Sequence, residues 1–551
     1  MADLIQLRRG TAEQWTTADP VLAAGEPGFE TDTGLHKIGT GLSPWSELPY
    51  FLDEPGLEAW YAEHPPVLTP GRLVVNVTDS RFGATGDGTT DDTAAIQQAI
   101  DEAAPGAVVF FPPGTYLVGS AGASILTGRS GVTLAGAGST ASALRVAPSS
   151  AATRVLNLSR ASDSGVRDLG FEADGNTNVL SAVYASVLRG QENIWVRGCR
   201  FADFMPGRTS TTYAAVYTWT SDGVHVLDSV FTGCGRAVTL DQPDGPCEVS
   251  GNRITADGTV MATGILVRRS SGVSTGAVLV SGNTVSGARN DPSGAGAEGH
   301  GIAVYRCQDV RVVDNHSSSS GRGVLVSNQA FGALVQGNTC VDNQDVGIRV
   351  EPEITAQDTT VGSNGASRGI TIIGNTCRDN RAIGTPGGAN SGSGIAISYA
   401  AGSTVSGNVI RNNTGDGIVC DSSRVTIVGN VISNNWTGWT SDPVNGRRGG
   451  IRIYAGSGCI VVGNHCYDNQ ATKTQQYGLS LTAPGNGHVV HGNNFAGNAA
   501  GEVFGADRIA TGFFGVAPVT RRPDPGTATV LNQTQVLNNL IQSLRELGLI
   551  T

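Results

Sequence analysis

From residue 247 onward the chain keeps returning to one arrangement of apolar and polar positions. A short alternating run meets a Gly-Asn step, and an apolar residue stands two places beyond the asparagine. The runs include CEVSGN, VLVSGN, ITIIGN, VTIVGN and CIVVGN, and the later apolar positions are Ile254, Val285, Cys340, Cys377, Ile410, Ile432, Cys466 and Phe495. Alternation at a period of two marks a strand with one buried face, so these residues are expected to point inward. Gly-Asn begins at 251, 282, 337, 374, 407, 429, 463 and 492, with Asp314-Asn315 as a variant, so copies stand 22 to 37 residues apart. That is the period of a solenoid with loops of variable length. A second strand type alternates with the first and opens on a glycine: GILVR at 264, GIAVY at 301, GVLVS at 323, GIRVE at 347, GIAIS at 394, GIVCD at 417, GIRIY at 450 and GLSLT at 478.

Two strand types joined by Gly and Asn turns predict a mainly β chain built as a right-handed parallel β-helix, in which like residues stack about 4.8 Å apart from coil to coil. Glycine at the turn accepts left-handed backbone, and the asparagine after it is expected to form an amide ladder up the column. Asn343, Asn380, Asn413, Asn435, Asn469 and Asn498 are expected to form a second ladder. The cysteines in inward columns read as small buried fillers.

Upstream, FGATGDGTTDDTAAIQQAIDEA joins a Gly-rich turn to a helix capped by Asp91 or Asp92, with Ala95, Ile96, Ala99, Ile100 and Ala103 as its apolar stripe. The pair GDGTTDDTAAIQQAI and VVFFPPGTYLV resembles the opening segment of the pectate-lyase-like superfamily of β-helices, a fold frequent in phage tailspikes. That likeness is close over residues 74–120, runs to about 500 in pattern only, and speaks for fold rather than reaction. Residues 4–51, with RRGT, GEPGFETD, KIGTG and WSELPY in order, resemble the small N-terminal β-module of phage tail fibres and minor tail proteins. The resemblance implies a place in the virion tail, attachment to other tail or baseplate proteins through this module, and a homotrimer. The domains expected are the attachment module at 1–52, a connector with a short helix at 53–73, the β-helix at 74–515 with its cap at 74–120, and a Pro/Gly hinge with a C-terminal helix at 516–551. In that helix Val530, Gln533, Leu537, Leu540, Leu544 and Leu547 recur at heptad spacing, as a trimerisation seam would.

Composition narrows the partners. The net charge of −11 with no basic block argues against a nucleic-acid surface. Lysine occurs only as Lys37 and Lys473, which leaves arginine, histidine and carboxylates as acid-base groups. Nine scattered cysteines form no CxxC pair, so neither a zinc site nor a disulfide framework is expected. The opening MADLIQLRRG lacks the apolar core of a signal peptide, and no stretch is long enough to span a membrane, so the expectation is synthesis in the host cytoplasm without insertion.

Chemistry is expected on the outward column of the second strand type: Asp241, Arg268, Tyr305, Ser327, Glu351, Ser398, Asp421, Tyr454 and Thr482, with Asp244, Arg269, Arg306, Glu353 and Tyr399 just beyond. This polar, aromatic-bearing strip reads either as an ordinary solvated face or as a groove holding a host-surface polysaccharide lengthwise. In the groove reading, Tyr305, Tyr399 and Tyr454 lie against sugar rings while Arg268, Arg269 and Arg306 contact hydroxyl or acidic groups. Glycoside hydrolysis needs two carboxyls about 5 to 9.5 Å apart. Glu351 and Asp421, two coils apart, would stand about 9.6 Å apart. Glu351 with Glu353, or Asp241 with Asp244, are closer pairs. EGHGIAVYR resembles one element of the polygalacturonase-type hydrolases and implies a catalytic role for His300, but that family's paired aspartates and Arg-x-Lys are not matched. A lyase would instead need a base and charge neutralisation by arginine or Ca2+. Trp436 and Trp439, in NNWTGWTSDPVNGRRGG, suit either carbohydrate stacking or packing against the solenoid. A non-catalytic structural or receptor-binding tail protein is the alternative to a depolymerase.

Overall fold

A computed structural model describes residues 8–50, 74–186, 192–205, 213–243, 245–269, 277–289, 299–352, 366–382, 391–437, 449–482, 487–509, 541–542 and 545. The chain divides into two units, Met1–Leu73 and Val74–Thr551. In the first, strands Arg8–Gly10, Pro27–Glu30 and His36–Ile38 form a small mixed sheet. Helix Ala12–Ala18 begins with a capping box, in which Thr11 Oγ1 accepts from Gln14 N and Gln14 Oε1 accepts from Thr11 N. Its core is small: Trp15 stacks on Trp45 with ring centroids 4.1 Å apart, beside Leu22 and Leu48. The buried Lys37 ammonium donates to Trp45 O at 2.9 Å, which satisfies a charge that burial would otherwise penalise.

The second unit is a parallel β-helix of three long sheets, with 14, 14 and 15 strands among the described residues. The first runs from Asp87–Asp91 to His465–Tyr467, the second from Ser124–Thr127 to Gly501–Phe504, and the third from Val74–Asn76 to Val489–His491. Each coil takes one strand from each. One coil runs Cys247–Ser250 in the third sheet, Arg253–Thr255 in the first and Thr263–Arg268 in the second. The sequence shows only two strand types because the Gly-Asn step is a corner: its glycine adopts positive φ, as at Gly251 (67°) and Gly337 (65°), and bends what reads as one strand into two. Asp314 (φ 55°) does the same in the variant copy, as a short polar side chain can.

Stacking in register settles where each column goes. Ile254, Val285, Cys340, Cys377, Ile410, Ile432, Cys466 and Phe495 are all buried in one continuous core. All nine cysteines are buried and none forms a disulfide. The first amide ladder runs without a break through Asn252, Asn283, Asn315, Asn338, Asn375, Asn408, Asn430, Asn464 and Asn493, each Nδ2 donating to the next Oδ1 at 2.9–3.0 Å. The second ladder corrects the sequence reading at one rung. Asn343, Asn380, Asn413 and Asn435 connect in series, but Asn435 then donates to Gln475 Oε1 at 3.1 Å, and Gln475 donates to Asn498 at 2.7 Å. Asn469 is exposed instead. Asp468 gathers the backbone N–H groups of Thr474 and Gln475 at 2.7 and 2.8 Å, and this local turn brings the longer glutamine amide into the column.

At the cap, helix Thr93–Glu102 buries Ile96, Ala99 and Ile100. Asp92 takes the N-cap position without a side-chain cap bond. Its carboxylate accepts instead from Thr85 N and Gly86 N at 2.7 and 3.1 Å, while Asp91 accepts from Thr93 N. Asp92 thus takes the expected cap position while its side chain ties the preceding turn together. The connector at 53–73 and all six seam residues lie outside the described residues; beyond residue 509 only the helical positions 541, 542 and 545 are described.

Candidate functional site

The outward column of the second sheet is continuous in register. Asp241 lies opposite Arg268, Arg268 opposite Tyr305, Tyr305 opposite Ser327 and Ser327 opposite Glu351. Val350 pairs with Ile397, which sets Glu351 beside Ser398, and Ser398 pairs with Asp421. Glu351 and Asp421 therefore share one face, two coils and about 9.6 Å apart along the backbone. Beyond Asp421 the register slips: Asp421 lies opposite Ala455, and Tyr454 is displaced from the column, standing 39% exposed beside it.

The environments of the two carboxylates differ. Glu351 is held by two guanidinium groups, those of Arg322 and Arg349, and Arg322 also meets Asp345 at 3.0 Å. Burial works against the charge of Arg322, but Glu351 and Asp345 outweigh it and hold its pKa above the ordinary arginine value. Asp421 lines a cleft of about 350 Å³ with Arg368, Tyr399, Ser422, Ser423 and Gly456 among its neighbours. Burial, which removes water from the charged form, pushes the Asp421 carboxyl up from its ordinary value. Tyr399, with left-handed backbone (φ 51°), stands 45% exposed at the mouth of that cleft.

The other sequence candidates fall in different surroundings. Asp241 is buried: Oδ2 accepts from Arg268 Nη2 and Nε at 2.7 and 3.1 Å and from the Tyr217 hydroxyl at 3.2 Å. Burial first, and the Asp241 charge second, push the Tyr217 hydroxyl pKa upward. His300 is 1% exposed, between Thr263 and Arg322 in the column that precedes the strand glycines, so it lies off the Glu351 column. Arg269 and Arg306 are half-buried just past their strands, Arg306 with left-handed backbone. Trp436 is 7% exposed and its indole donates to Asp416 Oδ1 at 2.7 Å, so it packs into the solenoid wall rather than offering a face to a sugar. Asp416 also meets Arg452 Nε at 3.0 Å. Asp244, Glu353 and Trp439 lie outside the described residues.

Sequence reasoning missed Arg322, Arg349 and Asp345. Arg349 was accessible to it, being the second residue after a strand glycine and so on the same outward face as the fourth. Among the described residues no three His, Cys, Asp or Glu side chains converge as a metal site would require.

Three family descriptions match the chain. Residues 74–288 match "Rhamnogalacturonase A/epimerase, pectate lyase-like", residues 366–512 match "Right handed beta helix region", and residues 5–43 match "Major tropism determinant N-terminal domain". Among curated proteins, mannuronan C5-epimerase AlgE6 of Azotobacter vinelandii is 43% identical over 112 residues, covering 18% of this chain and 12% of the relative. A hyaluronoglucosaminidase of Streptococcus pyogenes phage H4489A is 46% identical over 46 residues, covering 8% of this chain and 12% of the relative. The chain thus spans about an eighth of either relative. Of solved structures, the Dettilon tailspike protein superposes with a TM-score of 0.47 at 16% identity, over 80% of this chain and 68% of that one. The sheet topology and the match of residues 366–512 make the second unit a right-handed parallel β-helix, of which residues 74–288 are similar to the pectate-lyase-like family, while residues 5–43 are similar to the tropism-determinant N-terminal domain.

Proposed function

We propose that this chain is a phage tail-fibre or tailspike protein that binds a host-surface polysaccharide along the outer face of its second sheet and hydrolyses it between Glu351 and Asp421. The observation that carries the reading is the shared column, which sets two carboxylates of unlike environment near the wider end of the separation used by inverting glycosidases. Asp421, with its raised pKa, is the acid that protonates the leaving glycosidic oxygen. Glu351, kept between Arg322 and Arg349, takes the proton of the water that attacks the anomeric carbon from the opposite side. Tyr399 and Tyr454 present exposed rings for stacking, and Arg368 stands at the cleft to meet hydroxyl or acidic groups. The match of residues 5–43 supports an attachment role for the N-terminal module, with other tail proteins as its partners and the virion tail as its place. The phage hyaluronoglucosaminidase supports a glycan as substrate class. The working form is a homotrimer.

A second reading, a binding fibre without catalysis, is favoured by the two guanidiniums on Glu351, which engage both of its carboxylate oxygens where an attacking water would have to bind. The test is incubation with capsular and cell-wall glycans, scoring new reducing ends and unsaturated uronates. Hydrolysis predicts reducing ends without unsaturation and their loss in Glu351→Gln with Asp421→Asn. Cleavage that survives the double substitution removes this site, unsaturated products replace hydrolysis by elimination, and binding without cleavage establishes the second reading.

A further inference from the structure

Charge is unevenly placed along the solenoid wall. In the upstream coils the outward positions of the third sheet carry Arg167, Arg197, Glu248 and Arg311. From Leu334–Gln336 to Val489–His491 the same positions hold no aspartate, glutamate, lysine or arginine, over six successive strands. Across the Gly-Asn corner, the first outward column of the first sheet is equally free of them, through Thr339, Thr376, Val409, Val431 and His465. Ile373, Ile460 and Val489 on one side of the corner, and Val409 and Val431 on the other, stand 37–43% exposed. Arginines appear only at the margins, Arg424 before a third-sheet strand and Arg378 and Arg411 at the far edge of the first sheet. An apolar centre within a charged rim is the anatomy of a protein interface.

The corner itself is bare. Only a glycine and an asparagine join the two sheets in these coils, so no inserted loop separates them. An added Cβ on Gly374, Gly407, Gly429 or Gly492 would meet no atom within 4 Å, whereas the Asp168, Asp228 and Asp314 carboxylates stand over the upstream corner residues Gly198, Gly251 and Gly337. The downstream ridge is therefore backbone that another chain can approach closely. Two copies of a chain with net charge −11 repel one another, and they meet at least cost where neither carries a charge. Six strands make each flank about 29 Å long and about 10 Å wide, or about 300 Å². One flank is too small for a stable dimer, which needs about 800 Å² from each partner. A three-fold arrangement uses both flanks of every chain, the third-sheet flank of one against the first-sheet flank of the next, and the heptad seam of Val530 to Leu547 follows this end of the solenoid in sequence. We propose that the corner between the third and first sheets, from Leu334 to His491, is the surface through which three copies of this chain pack about a common axis. The second sheet forms the remaining side of each coil, so this packing turns the Glu351–Asp421 column outward, where a polymer can reach it. The assignment rests on the homotrimer put forward above and gives it a face.

The test uses the full-length chain, light scattering for the number of copies and a short bismaleimide for proximity. The nine native cysteines are buried, so a single engineered thiol carries the reaction. Val431→Cys, on the first-sheet flank, should yield covalently linked chains. Tyr454→Cys, equally exposed at 39% but on the second sheet, should not. Adding Ile460→Asp, which sets a charge on the opposing flank, should lower the Val431→Cys yield several-fold, with circular dichroism unchanged because Ile460 is exposed. Three copies without a cross-link at Val431→Cys, or with equal yields at the two positions, overturn the face and leave the homotrimer standing. A monomeric chain overturns both and leaves the glycan reading to its own assay.

Discussion

Replacing Asn375 by alanine tests whether the amide ladder holds the coils together or merely decorates them. Asn375 is fully buried. Its Oδ1 accepts from Asn338 N at 2.8 Å and Asn338 Nδ2 at 3.0 Å, and its Nδ2 donates to Asn408 Oδ1 and Val335 O, each at 3.0 Å. Alanine leaves two buried donors of Asn338 without an acceptor and removes one donor from each of two buried acceptors. At about 1–3 kcal/mol for each buried donor left unsatisfied, the loss should be about 3–5 kcal/mol. Asn469→Ala supplies the matched control: the same residue type in the same repeat motif, but exposed and outside the ladder, so its cost should stay within about 0.5 kcal/mol. Denaturant unfolding followed by circular dichroism gives the stability difference, and amide exchange at Asn338 reports the rung directly. A cost below about 1 kcal/mol for Asn375→Ala, or equal costs for the two substitutions, would refute the assignment of energy to the ladder.

Gln475→Ala should behave like a ladder substitution, losing about 2–4 kcal/mol by the same assay, since its amide bridges Asn435 and Asn498. Gly337→Ala should cost about 1–3 kcal/mol and lower the melting temperature, because the residue has φ 65° and an added Cβ would overlap Asp314 Oδ1 of the coil below. Asp416→Ala should cost about 3–5 kcal/mol and shift tryptophan fluorescence, since it removes the buried carboxylate that pairs with Arg452 and accepts from the Trp436 indole. Asp421→Asn should raise the melting temperature at neutral pH. Its folded-state pKa is raised, so the wild-type folded state is favoured while the carboxyl is protonated and loses that advantage as pH rises through the raised value; the gain should vanish below the ordinary carboxylate range. Cleavage by the wild type should fall over the same upward pH interval, as the acid loses its proton.

How much of this was legible beforehand follows from which interactions are periodic. The inward columns, the nine-rung ladder, the left-handed corner glycines and the continuity of the Asp241-to-Glu351 column all follow from residue type at a fixed place in the repeat. A parallel β-helix repeats the same backbone environment every coil, so pattern becomes position. The departures are where the repeat is locally broken. Asn469 fits the motif but is displaced by the Asp468 turn, Tyr454 leaves its column at the bulge after Cys420, and Trp436 turns inward to Asp416. One strand type resolved into two because a corner glycine changes the chain direction without changing the alternation.

The charges were legible only in part. The pattern placed Glu351 and Asp421 on one face, yet it could not show that Arg322 and Arg349 close on the first while the second sinks into a cleft where burial raises its pKa. Nor could it show that Asp241 uses one oxygen and leaves the other free. The sequence by itself determined the stacking, because hydrophobic alternation and turn chemistry act within one coil and repeat. Only the tertiary structure decided the state of each polar group, because solvation and charge pairing depend on neighbours that come from other coils and other columns of the sheet.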